Sequence, residues 1–82
     1  MSRIEDRLVE LGSPLPAVAK PVASYIPAVV TGNLVFTSGQ LPFIDGALPQ
    51  TGKLGAGVDA DAAKGYARQC ALNALAAVKL AI

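Results

Sequence analysis

The chain has 82 residues, and seven Lys and Arg against six Asp and Glu give it a net charge of +1. This length allows one small domain, and the weak charge favours neither nucleic acid nor a membrane surface as a partner. Since there is no histidine, histidine-based triads and the usual structural zinc pairings are excluded, and we expect neither a metal nor a cofactor. The one cysteine, Cys70, excludes an internal disulfide and favours a reducing, cytoplasmic compartment.

The N-terminal segment predicts a short amphipathic helix. Ile4, Leu8 and Leu11 recur at helical spacing between a capping-box pattern that opens at Ser2 and a stop at Gly12. Three prolines in residues 13–21 then predict an extended connection.

A β-hairpin is predicted around Gly32-Asn33. The flanking segments, 22–31 and 34–38, are rich in β-branched and apolar residues. A two-residue loop gives the pairs Thr31 with Leu34, Val29 with Phe36, Pro27 with Ser38, and Tyr25 with Gln40. Tyr25, Ser38 and Gln40 then share one face, although Pro27 could shift the outer register by one residue through a bulge.

The second part of the chain predicts a long loop and a long helix. Residues 43–57 carry dense turn signals and are expected to form an irregular loop. Asp59 or Asp61 then caps a helix from about Ala60 to the end of the sequence. Its predicted apolar stripe is Ala67, Ala71, Ala74 with Leu75, Val78 and Ile82, and its predicted outer face carries Lys64, Arg68 and Lys79.

These elements make an incomplete fold. One hairpin and one helix leave an unpaired sheet edge and a half-covered core. No Gly, Asn or Pro follows Ile82 to stop the helix. Apolar residues make up 52% of the chain and charged residues 16%, so part of the apolar surface is expected to meet another chain. We therefore expect half of a larger assembly.

Tyr25 and Ser38 are the candidate functional pair. They could present two hydroxyl groups to a small polar ligand, with Gly39 allowing a close approach to the backbone. The alternative is structural: a half-buried strand tyrosine and a strand-end serine. Neither hydroxyl has a base nearby in the sequence, so the pair could bind but not obviously catalyse. Cys70 is expected to be a buried structural thiol.

Residues 25–42, YIPAVVTGNLVFTSGQLP, resemble the N-terminal signature of the RidA/YjgF family of reactive-intermediate deaminases. The helix segment 67–73, ARQCALN, is similar to the family's next helix. The resemblance covers nearly the whole chain.

This resemblance implies an α+β, chorismate-mutase-like fold, assembled as a homotrimer whose clefts between subunits bind small carboxylic or imino acids. Family members hydrolyse enamine or imine intermediates to 2-keto acids and ammonia, and some are described as endoribonucleases or translation inhibitors. By matching positions, Tyr25 and Ser38 are pocket residues and Gly39 shapes the wall.

The resemblance also implies that the catalytic arginine and glutamate lie in the family's C-terminal half, outside residues 1–82. We therefore expect residues 1–82 to be a single partial domain, the N-terminal half, and to be inactive unless another chain supplies both groups. The alternative is a non-catalytic small-carboxylate-binding or regulatory protein of the same fold. RNA cleavage is a third, weaker interpretation, because the charge balance does not favour RNA.

Overall fold

The computed structural model describes residues 3–18 and 26–82 and places two helices and four short strands there. Ser2 of the predicted capping box, the end of the predicted connection at residues 19–21 and the candidate pocket residue Tyr25 lie outside the described residues. The elements are α1 Arg3–Glu10, β1 Ala28–Thr31, β2 Leu34–Thr37, β3 Lys53–Leu54, β4 Gly57–Val58 and α2 Ala60–Ala81. This mixture of helix and sheet confirms the predicted α+β class.

Helix α1 ends where the sequence predicts. The backbone N–H of Ser13 donates to the Leu8 carbonyl oxygen at 2.8 Å, and that of Gly12 donates to the Val9 carbonyl oxygen at 3.0 Å. This pair of bonds is the Schellman motif, and it requires a left-handed residue at Gly12, whose φ is 74°. The glycine therefore turns the chain out of the helix and satisfies two of its last carbonyl groups.

Strands β1 and β2 form the predicted antiparallel hairpin. Thr31 pairs with Leu34 and Val29 with Phe36, as the two-residue loop requires. Gly32, at the first loop position, has a φ of 61°, as in a type II′ turn. The pairing continues past the strands, because the N–H of Ser38 donates to the carbonyl oxygen of Pro27 at 2.9 Å. Pro27 therefore causes no shift in register as far as its own pair with Ser38, and the predicted pair of Tyr25 with Gln40 lies outside the described residues.

The segment between β2 and α2 is more ordered than the predicted irregular loop. Ile44 and Ala47 exchange backbone hydrogen bonds of 3.0 and 3.1 Å around a turn at Asp45, whose φ is 52°. Further on, β3 and β4 form a small parallel pair. The side chain of Gln50 donates to the Gly57 carbonyl oxygen at 2.6 Å. The segment between β2 and α2 is therefore held mainly by hydrogen bonds between residues close in sequence.

Helix α2 has the predicted bounds and one of its two predicted caps. Asp59 is the N-cap residue, and its Oδ1 accepts a hydrogen bond from the backbone N–H of Ala62 at 2.8 Å. The hydroxyl group of Tyr66 donates to Oε1 of Gln50 at 2.7 Å and so joins the helix to the preceding loop. Contacts between α2 and both strands of the hairpin place the helix against the β1–β2 sheet.

The predicted apolar stripe of α2 is not the face that enters the core, and this prediction was wrong. The buried residues of the helix are Leu72, Asn73, Ala76 and Ala77. The predicted stripe is mostly exposed: Ala67, Ala71, Leu75 and Ile82 are exposed, and Ala74 and Val78 are half-buried. Alanine occurs on nearly every side of this helix, so apolar periodicity does not determine which side packs on the sheet.

A second apolar side of α2 faces the N-terminal helix. Ile4 and Leu8 of α1 line a groove of about 370 Å³ together with Leu75 and Val78 of α2. The stripe that the sequence predicts therefore contributes to this groove, and the main core lies on the other side of the helix.

The predicted outer face of α2 is only partly free. Lys79 forms an ion pair of 2.8 Å with Glu5 of α1. Arg68 donates to the hydroxyl oxygen of Ser13 in the segment that follows α1. Lys64 is exposed, as predicted. The N-terminal segment is thus tied to α2 at two points. Within residues 3–18 and 26–82, no helix has the length and apolar content needed to cross a membrane.

Candidate functional site

Ser38, a predicted pocket residue, lies directly after β2 and is half-buried. Its backbone N–H and its hydroxyl group both donate to the carbonyl oxygen of Pro27, at 2.9 and 3.3 Å. The side chain of Gln40 donates in turn to the Ser38 carbonyl oxygen at 3.2 Å. The hydroxyl proton therefore points into the hairpin, and the lone pairs of Oγ remain able to accept a hydrogen bond from a ligand.

Gly39, the predicted wall residue, is exposed and its surroundings are open. A Cβ atom added there would meet no atom within 4 Å, and its φ lies outside the left-handed region. Neither packing nor backbone conformation within the described residues requires glycine at this position. The position therefore allows another molecule to approach the backbone closely.

The face that carries Ser38 is apolar and open. From the register of the hairpin, Val29, Leu34 and Phe36 share this face with Ser38. Their exposed fractions are 44%, 56% and 57%. Ser38 thus stands at the border of an uncovered apolar sheet surface rather than inside a closed cavity. Tyr25 would join this face by the same register, and its place in the site stays a prediction.

Asn73 is the residue that sequence reasoning missed. It is 2% exposed, and its side-chain nitrogen donates to the carbonyl oxygens of Leu41 and Phe43 at 2.9 and 3.2 Å. Its side-chain oxygen accepts a hydrogen bond from Gln69 at 3.1 Å. The signal in the sequence is a single amide in the middle of the apolar tract 71–78. Through these hydrogen bonds, Asn73 holds the backbone that follows Ser38 against α2.

The remaining candidates, Arg68 and Cys70, lie on α2. Arg68 is engaged with Ser13, and Cys70 is a half-buried free thiol rather than a fully buried one. A groove of about 420 Å³ lies between the segment after α1 and the turn at Asp45, with Gln69 on its wall. The described part of the chain holds no cluster of three or more possible metal ligands. Among the described residues, Ser38 forms hydrogen bonds with Pro27 and Gln40, and neither of these residues supplies a base that could move a proton.

Comparisons with known proteins identify the fold. A sequence profile described as "YjgF/chorismate mutase-like, putative endoribonuclease" matches residues 5–82. The chain is 36% identical over 80 residues to "Protein TCP17" of Trypanosoma cruzi, a match that covers 98% of this chain and 50% of that protein.

Two crystal structures agree with this match. The protein Atu1372 of Agrobacterium tumefaciens, whose function is unknown, is 45% identical with a TM-score of 0.77, over 94% of this chain and 46% of that one. A "putative endoribonuclease" of Shewanella oneidensis MR-1 is 38% identical with a TM-score of 0.84, over 93% of this chain and 50% of that one. The chain thus spans about half the length of these relatives. Because the profile match runs through both helices and the hairpin, the chain belongs to the YjgF/chorismate mutase-like family.

Proposed function

We propose that this chain forms one wall of a binding cleft for small carboxylic or imino acids in a cytoplasmic imine/enamine deaminase of the YjgF family. The observation that carries the proposal is the strand end at Ser38. Its backbone is held by pairing with Pro27, its hydroxyl oxygen can accept a hydrogen bond, and Gly39 beside it leaves room for close approach. A fixed wall with few, well-placed polar groups is typical of small-ligand sites.

The open apolar face beside Ser38 supports a cleft between subunits. Val29 and Phe36 are paired across the hairpin and exposed on the face that Ser38 shares. A second subunit placed over this face would bury the apolar side chains and enclose the ligand. A homotrimer, in which each subunit is covered by the next, gives one such cleft at every interface.

Turnover needs two groups that are not near Ser38 among the described residues. A planar carboxylate is best held by an arginine fork, and attack of water on an iminium carbon needs a proton acceptor. The guanidinium group of Arg68 is engaged with Ser13. In this proposal, residues 1–82 bind and orient the acid, and both catalytic groups come from other polypeptide.

RNA cleavage is the second candidate, because the matching family and one structural neighbour are both described as a "putative endoribonuclease". Acid–base cleavage of RNA usually relies on histidine or an equivalent base beside a basic surface. The 82 residues contain no histidine and carry a net charge of +1. We therefore rank acid binding first.

The test compares two serine-to-alanine variants. Ser38→Ala removes the hydroxyl group at the proposed wall, whereas Ser13→Ala removes one that contacts Arg68. Calorimetric titration with pyruvate, as the probe acid, should show affinity for Ser38→Ala about tenfold weaker, the value of one good hydrogen bond, and no change for Ser13→Ala. Equal affinities of the two variants would show that Ser38 is not on the wall.

A second measurement addresses turnover. A 2-imino acid generated in solution by an amino-acid oxidase releases ammonia spontaneously, and the 82-residue protein should not accelerate this release. Acceleration that disappears in Ser38→Ala would show that the catalytic groups are present in this chain, and that part of the proposal would be wrong.

A further inference from the structure

The groove between the segment after α1 and the turn at Asp45 has the size of a small-molecule site. Its volume is about 420 Å³, and typical ligand pockets measure about 300–1,000 Å³. Most of its lining is apolar, from Pro16, Val18, Phe43 and Ile44, and its polar side chains are those of Asp45 and Gln69. An apolar lining with a few polar groups is typical of sites for small organic molecules.

Asn73 joins two walls of this groove. Its Nδ2 donates to the carbonyl oxygen of Phe43 at 3.2 Å, and its Oδ1 accepts from Nε2 of Gln69 at 3.1 Å. Because Asn73 is only 2% exposed, water competes little for these hydrogen bonds. The two walls are therefore held in place before any ligand arrives, and this lowers the entropic cost of binding.

The same hydrogen bonds determine which end of the Gln69 amide is available to a ligand. The nitrogen of Asn73 is used by two carbonyl oxygens, so its oxygen is the atom that meets Gln69. Only the amide nitrogen of Gln69 can donate to that oxygen. Oε1 of Gln69 therefore keeps lone pairs for another donor, and Gln69 contributes an acceptor to the groove.

Asp45 gives the groove a negative charge. Its backbone position is fixed by the turn that Ile44 and Ala47 close with hydrogen bonds of 3.0 and 3.1 Å. Among the described residues that line the groove, none is cationic, so the charge of Asp45 favours a positively charged ligand there. Phe43 adds an aromatic ring, and the face of such a ring also attracts cations.

We propose that this groove binds a small primary alkylammonium ion. The N–H groups of the ammonium donate to the carboxylate of Asp45 and to Oε1 of Gln69, and the short alkyl chain packs against the apolar lining. A carboxylate ligand of the same length is repelled by Asp45, and an alcohol has one donor for the two acceptors. The proposal concerns a groove whose described lining does not include Ser38, and it does not depend on the proposed deaminase activity.

The experiment is an NMR titration with n-butylammonium chloride at constant ionic strength, with n-butyrate and n-butanol as probes of the same chain length. The ammonium ion should cause saturable shifts of the Gly46 backbone amide and the Gln69 side-chain amide. Asp45→Asn should weaken this binding about tenfold, because it removes the charge but keeps a residue that tolerates the φ of 52°. The matched control, Asp61→Asn, removes the same charge from the first turn of α2 and should leave the affinity unchanged.

Three outcomes would overturn the proposal. The first is the absence of saturable shifts at about 100 mM n-butylammonium, since a millimolar site would be filled there. The second is that Asp45→Asn and Asp61→Asn bind the ion equally well, because the attraction would then come from the overall charge. The third is that n-butyrate or n-butanol binds as tightly as the ammonium ion. None of these outcomes bears on pyruvate binding at Ser38, so the two proposals fail separately.

Discussion

Replacing the buried Asn73 with alanine gives the sharpest test of how the candidate site is held. The substitution removes two hydrogen bonds donated to the carbonyl oxygens of Leu41 and Phe43, 2.9 and 3.2 Å long, and one accepted from Gln69. A hydrogen bond contributes about 0.5–1.5 kcal/mol net, and a carbonyl left buried without a donor adds to the loss. We therefore expect Asn73→Ala to lower the free energy of unfolding by about 2–3 kcal/mol.

This loss is large, because even a complete domain of 82 residues has a total stability of only about 4–12 kcal/mol. Urea unfolding followed by circular dichroism should show a lower midpoint, and thermal unfolding a Tm about 10–20 °C lower. The matched control is Gln69→Ala, which removes one hydrogen bond and leaves the side-chain oxygen of Asn73 without this donor, so it should cost about 1–1.5 kcal/mol, less than Asn73→Ala. The reasoning is refuted if Asn73→Ala stays within about 0.5 kcal/mol of the wild type, or if both variants cost the same.

Three further predictions concern caps, turns and the orientation of α2. Asp59→Ala removes the N-cap hydrogen bond and should cost about 1 kcal/mol in urea unfolding. Gly32→Ala places a side chain on a residue with a φ of 61° and should lower the free energy of unfolding by about 1–2 kcal/mol. Its control, Gly39→Ala, should leave the free energy of unfolding unchanged but weaken pyruvate binding. Leu72→Ala, at a residue 8% exposed, should cost about 2–3 kcal/mol, and Leu75→Ala, at one 41% exposed, less than half of that. Equal losses for the two leucines would show that the helix packs in another orientation.

The sequence predicts the parts of this fold that depend on neighbouring residues. Gly32 and Asn33 allow a two-residue loop, and that loop fixes the pairing of Val29 with Phe36 without reference to the rest of the chain. The C-terminal turn of α1 at Gly12 and the N-cap at Asp59 are likewise set within a few residues. Each of these predictions is confirmed because the physical cause lies close in the sequence.

The orientation of α2 could not be predicted in the same way, because it depends on distant partners. Alanine surrounds most of the helix, and Leu72 and Leu75 are equally apolar, so nothing local tells which of them meets the sheet. The choice follows from Asn73, whose side-chain amide donates to carbonyl groups 32 and 30 residues earlier in the chain. In an analysis of apolar periodicity, an asparagine interrupts an apolar tract. Asn73 is nevertheless buried on the core-facing side of α2, because its hydrogen bonds are satisfied there.

In the proposed cleft, binding and catalysis can be separated, because the segment proposed as its wall is fixed at both ends within one chain. Ser38 is held by the hairpin through Pro27, and five residues later Phe43 is held by α2 through Asn73. A short segment anchored in this way has little conformational freedom left to lose when it meets a ligand, which lowers the entropic cost of binding. Fixing this segment does not provide proton transfer, because proton transfer needs a base within reach of the bound acid. The proposed wall can therefore be pre-formed in this chain without a catalytic group beside it.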